Sequence, residues 1–267
     1  MNLKGKTVLL TGASGGIGQA IALELAAAGA RLVLVARNTV RLATLQAELV
    51  AKYPAAHQIF SADLTQTQDR QDLLAFVREL QGIDVLINNA GISQFGLVAQ
   101  QDFAAQLGTN LLMPMLLTQT LLPELQRKPE ALIVNVGSAF GSIGYPGFSG
   151  YSASKFGLRG FTEALKRELS DTGVQVLYFA PRATDTAINS DAVVAMNREL
   201  GNRSDSPQLV ATALLQQIQQ GQARRFVGWP EQLFVRVNAI FPGIVDKALA
   251  AKLAVIRRYA QLSHSEA

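Results

Sequence analysis

Thr7-Val8-Leu9-Leu10-Thr11 is a strand-forming apolar run that stops at Gly12-Ala13-Ser14-Gly15-Gly16-Ile17-Gly18, and a stretch of helical character, Gly18–Ala28, follows. A strand, a glycine-rich turn and a helix in that order make a crevice for an anion. Glycines reach backbone angles closed to other residues. They also let the main chain approach a bound group at the helix N-terminus, where free N–H groups and the helix dipole favour negative charge. The other reading of these residues is an ordinary glycine-rich loop. The strand before and the helix after favour a nucleotide pyrophosphate.

Outward from this turn the alternation repeats. Short apolar runs stand at Leu32–Ala36, Gln58–Phe60, Val85–Asn88, Ala131–Val136, Val174–Phe179 and Arg225–Val227, with Gly18–Ala28, Val40–Ala51, Thr67–Leu80 and Tyr151–Ser170 among the helical stretches between them. Continuous apolar strands suit a sheet buried on both faces. Strand–helix alternation predicts right-handed crossovers and a doubly wound parallel sheet with helices on both faces, an α/β fold. With no repeat and no linker, residues 1–267 read as one domain. The last 40 residues lose the alternation and read as a C-terminal helical extension, with Pro230 and Pro242 punctuating helices near 231–241 and 244–260.

Composition narrows the function classes. Hydrophobic residues make up 49 % of the 267 and charged ones 16 %, which excludes disorder for the bulk of the chain. There are no cysteines, and only His57 and His264 as histidines, so disulfides, thiol chemistry and a metal site are not expected. The run Val8–Leu10 is too short for a signal peptide, and no apolar run reaches the about 20 residues of a membrane span. The chain therefore reads as soluble and cytoplasmic. Lys and Arg balance Asp and Glu at 17 each over residues 1–223, so the whole excess of four positive charges sits in the last 44 residues, Glu266 included in that count. No nucleic-acid partner is expected. That tail is either a solvated helix face or a contact for anionic lipid or an acidic partner, the latter motivated by Phe226, Trp229, Phe234 and Phe241 beside Arg224, Arg225 and Arg236.

Other strand ends carry the finer signals. The second strand ends at Arg37 with no carboxylate before Glu48. In a dinucleotide fold this end meets the adenosine ribose, where a guanidinium pairs with a 2′-phosphate, so Arg37 favours NADP over NAD; the plain alternative is a solvated arginine. Asp63-Leu64 stands where an adenine edge and face would be held, or is a helix cap. Asn88-Asn89-Ala90-Gly91 would let the backbone close over a cofactor ribose, or is an ordinary Asn/Gly turn.

Tyr151-Ser152-Ala153-Ser154-Lys155 opens a helix and sets Tyr151 and Lys155 on one face. A phenol is a poor acid or base at neutral pH, and a neighbouring ammonium is expected to stabilise its phenolate. Tyr151 is thus a candidate proton donor to a carbonyl or acceptor from an alcohol. Ser138, at the end of the strand Ile133-Val134-Asn135-Val136, could hydrogen-bond the substrate oxygen, and Asn110, between two helical stretches, could hold a water that relays protons from Lys155. Taken singly, Ser138 and Asn110 read as well as structural residues.

Taken together, Thr11-Gly12-x-x-x-Gly16-x-Gly18, Asn88-Asn89-Ala90-Gly91, Asn110, Ser138 and Tyr151-x-x-x-Lys155 resemble the short-chain dehydrogenase/reductase family over about residues 5–187. The resemblance implies a Rossmann-like fold, hydride transfer at a nicotinamide and a catalytic tetrad of Asn110, Ser138, Tyr151 and Lys155. It also implies cofactor contacts from Gly12, Ser14, Gly16, Ile17, Gly18, Asp63, Leu64, Asn89, Ala90, Gly91, Tyr151, Lys155, Pro181, Thr184 and Thr186, with Arg37 resembling the basic residue of the NADP-preferring branch. A homodimer or homotetramer built partly on the helices holding Asn110 and Tyr151 follows from the same resemblance. One stretch departs from the family. Pro181-Arg182-Ala183-Thr184-Asp185-Thr186 has Arg182 where a glycine is usual, and either the cofactor loop is reshaped or Arg182 faces the substrate.

The resemblance places the substrate between Ser93–Phe95, Phe140, Ile143–Phe148, a loop region near 187–205 and the C-terminal extension near 229–267. Phe95, Phe140, Tyr145 and Phe148 suit a hydrophobic carbonyl or alcohol, with Arg182 as the one charged anchor in view. Core packing explains each aromatic equally well. The leading expectation is an NADP(H)-dependent carbonyl reductase. A 3-oxoacyl thioester reductase is the alternative within the class. A non-catalytic NADP-binding regulator, or a membrane-surface scaffold, is the alternative outside it.

Overall fold

The computed structural model describes residues 1–229 and 231–265, without the side chains of 263–265. Pro230, Glu266 and the side chain of His264 therefore lie outside the described residues. The strands β1 (Thr7–Thr11), β2 (Arg31–Ala36), β3 (Gln58–Ser61), β4 (Val85–Asn88), β5 (Ala131–Val136), β6 (Val174–Ala180) and β7 (Arg224–Phe226) form one sheet. Every pairing is parallel, in the order β3-β2-β1-β4-β5-β6-β7. The chain winds outward in one direction from β1 and then returns to start again at β4. The C-terminal ends of these two central strands open the crevice where such sheets bind ligands.

Side chains alternate across the sheet, so each strand feeds two cores. Val8, Leu10, Leu32, Leu34, Val134, Leu177 and Phe179 face the layer of α1 (Gly16–Ala27), α2 (Thr39–Lys52) and α8 (Pro207–Gln220). Leu9, Val33, Val35, Leu86, Ile133 and Val176 face α3 (Thr67–Glu79), α5 (Met113–Gln126) and α6 (Ser149–Glu168). Both faces are buried, which is why the strands read as continuous apolar runs. A buried polar chain crosses the second core below the crevice. Asn88 Nδ2 donates to Thr118 Oγ1 at 3.1 Å and Asn135 Oδ1 at 2.8 Å, and Asn135 Nδ2 donates to Thr162 Oγ1 at 2.9 Å. It ties β4 and β5 to α5 and α6 and so fixes the height of both helices against the sheet.

Most expected bounds shift by one or two residues. Leu32 is preceded in the strand by Arg31, paired with Thr7, and the last strand is Arg224–Phe226 rather than Arg225–Val227. The helix holding Tyr151 starts at Ser149, so Tyr151 is its third residue. The larger correction lies in the extension. Beyond α7 (Asp191–Glu199) and α9 (Glu231–Ile240), the single helix expected near 244–260 is two, α10 (Pro242–Ala250) and α11 (Leu253–Ser265), divided at Ala251-Lys252.

Candidate active site

The glycine-rich turn is held by its neighbours. Gly12 has φ +66°, and a Cβ there would lie 2.7 Å from Ala90 Cα; a Cβ on Gly18 would lie 2.1 Å from the Gly12 carbonyl oxygen. Thr11 Oγ1 accepts from the Asn89 and Ala90 amides at 3.0 Å each. Asn89 Nδ2 donates to the carbonyls of Thr11 and Gly12, so this side chain serves the turn, while the residue still borders the crevice. The N-cap of α1, Gly15, offers no side-chain cap, and the first turn keeps its N–H groups for another acceptor. Facing it, Thr186 packs against Gly16, where a Cβ would meet Thr186 Cγ2 at 2.8 Å. Thr186 Oγ1 is buried without a partner. An uncapped helix start, a cradle that any Cβ would fill and an orphaned hydroxyl fit a bound dinucleotide.

At the far end of the crevice Arg37 is exposed just after β2 and forms no ion pair among the described residues. The Thr65 hydroxyl and amide hold the Asp63 carboxyl below its usual range against a burial cost, and the nearby Arg37 charge adds to the effect. Leu64 beside it is buried.

Ser138, Tyr151 and Lys155 meet on one wall. Ser138 starts a short turn at Ala139–Gly141, its hydroxyl accepts from the Phe140 amide at 3.1 Å, and it stands near enough to the Tyr151 hydroxyl to favour the phenolate. Lys155 stands one turn further along α6. Its Nζ lies 5.7 Å from the Tyr151 ring centroid and donates to the Val136 carbonyl at 2.9 Å. Burial lowers the Lys155 pKa to about 8. Burial raises that of Tyr151, with the Ser138 hydroxyl opposing it. This corrects the expectation that the neighbouring ammonium brings the phenol down: desolvation is the larger effect, and Tyr151 rests as the neutral phenol.

Asn110 sits in a π-helical turn, Gly108–Leu112, between α4 (Phe103–Leu107) and α5. Such bulges are frequent at functional sites. Its Nδ2 donates to the Ile92 carbonyl at 2.8 Å and Ser154 Oγ at 3.1 Å, and its Oδ1 accepts from the Ile92 amide at 2.8 Å. Both amide hydrogens are therefore taken, and a water relay from this side chain is confined to Oδ1. That oxygen and Lys155 Nζ both border the space left open at Gly91, where a Cβ would lie 3.1 and 3.6 Å from them.

These groups open on a cavity of 460 Å³. Phe140, Tyr145 and Phe148 line it, with ring centroids 4.8 to 6.1 Å apart, and Phe95 packs behind Phe148 at 5.0 Å. Pro181 and Thr184 line it too. Arg182 lines the cavity as well, with its guanidinium held by carboxylates. It donates to both Asp205 oxygens at 2.9 and 2.6 Å and to Glu231 Oε2 at 3.2 Å. It thus clamps the segment after β6 to the residue pair before α8 and to α9, while still bordering the cavity. Two cations that sequence reasoning missed, Arg203 and Lys252, line the cavity with no ion pair among the described residues. Nothing local marks them. Tyr178, also missed, props the Ser138 carbonyl through its buried hydroxyl at 3.4 Å, and a lone tyrosine in an apolar strand was its one signal.

Solved structures share this architecture. A short-chain dehydrogenase/reductase from Burkholderia phymatum in complex with NAD superposes with a TM-score of 0.80 over 90 % of this chain and 94 % of that one, at 23 % identity, a likeness of fold alone. A short-chain dehydrogenase from Sphingobium yanoikuyae in complex with NADPH gives 0.77 over 90 % and 95 %, at 29 % identity. The ketoacyl reductase HetN of Nostoc sp. is 36 % identical over 257 residues, 92 % of this chain and 88 % of that protein. The family profile described as short chain dehydrogenase matches residues 6–196, from the first strand through the Tyr151 and Lys155 wall and into α7. The chain belongs to the short-chain dehydrogenase/reductase family and is an oxidoreductase.

Proposed function

We propose that the chain is an NADP(H)-dependent carbonyl reductase for hydrophobic substrates. The observation that carries this is the meeting of Ser138, Tyr151 and Lys155 on the wall of an apolar cavity that also borders the glycine-rich turn. When bound, the dinucleotide supplies or accepts the hydride at its nicotinamide. Gly12, Ser14, Gly16, Ile17 and Gly18 hold its pyrophosphate, Arg37 the 2′-phosphate, and Asp63 and Leu64 the adenine. Ala90 and Gly91 leave room for a ribose, and Pro181, Thr184 and the Thr186 hydroxyl serve the nicotinamide end. Ser138 donates to the substrate oxygen, and Tyr151, resting neutral, gives that oxygen a proton. Lys155 holds the ribose, and its charge favours the phenolate as it forms. Asn110 keeps the Ile92 and Ser154 segments in place and presents Oδ1 beside Lys155.

Residues 187–205 act as the substrate loop and the described part of 229–267 as the covering extension. The enzyme is cytoplasmic and works as a homodimer or homotetramer, for which the exposed apolar side chains of Phe103, Leu107, Leu112 and Phe156 offer a face. Among the described residues no helix is long and apolar enough to cross a membrane. A 3-oxoacyl thioester is the second reading. Arg203 and Lys252 suit its phosphorylated carrier arm, and the likeness to a ketoacyl reductase points the same way.

An NADPH-oxidation screen over neutral ketones, aldehydes and a 3-oxoacyl coenzyme A tests both. Faster turnover of the thioester favours the second reading. NADPH binding without turnover of any carbonyl would leave a non-catalytic regulator. Tyr151→Phe should keep NADPH affinity and lose about a hundredfold or more in kcat, since only the proton donor is removed; a variant keeping a tenth of wild-type kcat sinks the acid/base role.

A further inference from the structure

Outside the cleft, a run of exposed apolar side chains lies on α9, α10 and the residue just before them. Trp229 is 70 % exposed, Ile240 67 %, Ile244 60 %, Phe241 59 %, Phe234 47 % and Leu233 43 %. Single exposed apolar residues are ordinary, but a run of six within sixteen residues marks an interaction surface. Leu233, Phe234, Val237 and Ile240 share one face of α9 by helical spacing, and α10 turns back at once through Phe241, whose amide donates to the Val237 carbonyl at 2.7 Å. Each helix buries one valine, Val235 or Val245, and sends other apolar side chains outward. Of the two readings of the tail, a solvated helix face or a contact, these exposed apolar side chains favour the contact.

Two observations choose the occupant. The first is charge. Arg236 and Lys247 are exposed on these same helices against one exposed carboxylate, Asp246, since Glu231 is already paired with Arg182; Arg224, just before them, is paired with Glu163. That leaves an excess of one cation on the two helices, which a second copy would only double and an anionic bilayer answers with the opposite sign. Trp and Phe side chains also suit the boundary between headgroups and acyl chains. The second is continuity with the cavity. Phe234 and Ile244 are exposed outside and line the cavity inside, with Val237, Val245, Ala248 and Leu249 between. The cavity roof and the outer patch are one apolar surface.

We propose that the α9–α10 hairpin docks this protein on an anionic membrane surface, and that a bilayer-dissolved carbonyl compound reaches the cavity through that roof. The second clause rests on the reductase reading; the docking does not. The test is flotation of the full-length protein with phosphatidylcholine vesicles, with and without phosphatidylglycerol, at low and high salt. Two double variants accompany it. Ile240→Ser with Phe241→Ser removes apolar side chains that do not line the cavity. Arg236→Gln with Lys247→Gln leaves the apolar face intact. Wild type should float with anionic vesicles and about tenfold less with neutral ones or in high salt, and each variant should lose about tenfold. Turnover of a water-soluble carbonyl should be unchanged in both variants, while turnover of a vesicle-dissolved one falls. Failure of wild type to float, or equal flotation of the apolar variant, overturns the docking. So does a lipid-free sedimentation change in that variant, which would make the face a contact between copies. Flotation with no carbonyl turnover overturns only the route and the reductase reading.

Discussion

Lys155 carries an ammonium into a site 4 % exposed, where the Val136 carbonyl is its hydrogen-bond acceptor. Its folded-state pKa of about 8 lies below the ordinary 10.5. Between those two values the unfolded chain holds a proton that the folded chain has released, so stability rises with pH across that window. Below about 8 both states hold it, and the cost of burying the charge is present in full. Lys155→Met in the cofactor-free protein should therefore be more stable at pH 7 by about 1–2 kcal/mol, once the lost hydrogen bond to Val136 is set against the relieved charge. The gain should shrink as pH climbs from 8 towards 10.5, and carbonyl turnover should be lost. Urea unfolding at three pH values checks this, and a destabilised variant at pH 7 would contradict it. Arg37 presents the opposite case, an exposed cation whose use depends on a ligand. NADPH should bind about tenfold more tightly than NADH, and Arg37→Asp should reverse that order, because a carboxylate repels a 2′-phosphate and accepts from a free hydroxyl. Fluorescence titration of both cofactors at two salt concentrations reads the ratio, and an unmoved ratio leaves Arg37 a plain surface charge.

At the scale of elements, the turn between β1 and α1 shows why glycine placement reads so well from sequence. A Cβ on Gly18 would sit 2.1 Å from the Gly12 carbonyl oxygen, whereas one on Gly160, in the middle of α6, would meet nothing within 4 Å. Gly18→Ala should destabilise by about 2–4 kcal/mol and abolish NADPH binding, and Gly160→Ala should stabilise by about 0.5–1 kcal/mol by favouring helix. Thermal melts of the pair measure both signs. The strands were legible for a related reason: burial on both faces demands continuous apolar runs such as Leu32–Ala36, whichever neighbours they find. Tyr151 and Lys155 were legible because helical spacing alone puts them together. What escaped depends on partners distant in sequence. Arg182 finds Asp205 23 residues on and Glu231 49 residues on, and no local pattern announces either. The break between α10 and α11 falls at Ala251-Lys252, where neither glycine nor proline marks it. The state of the Tyr151 phenol escaped as well, because spacing gives the nearness of the ammonium and not the depth of burial that outweighs it.

For the whole molecule, two exposed apolar faces stand out among the described residues, and the occupants proposed for them differ. The α9–α10 face carries a small excess of cations, Arg236 and Lys247 against Asp246, which favours an anionic surface over a second copy. The other face carries Phe103 and Leu107 on α4, Leu112 in the π-helical turn and Phe156 on α6, at 37, 38, 53 and 42 % exposure. These are the elements that hold Asn110 and Tyr151. A contact between copies here would brace the reactive wall from outside, so assembly and turnover are expected to be linked. Leu112→Asp with Phe156→Asp places carboxylates on that face without touching the cavity lining. Wild type should sediment as a dimer or tetramer of the 28.6 kDa chain and the double variant as a monomer. The monomer should lose carbonyl turnover by about tenfold, as small displacements of a catalytic group do, yet float with anionic vesicles as wild type does. A variant that keeps its oligomer rejects this face as the interface; one that loses both properties together shows that a single face serves both.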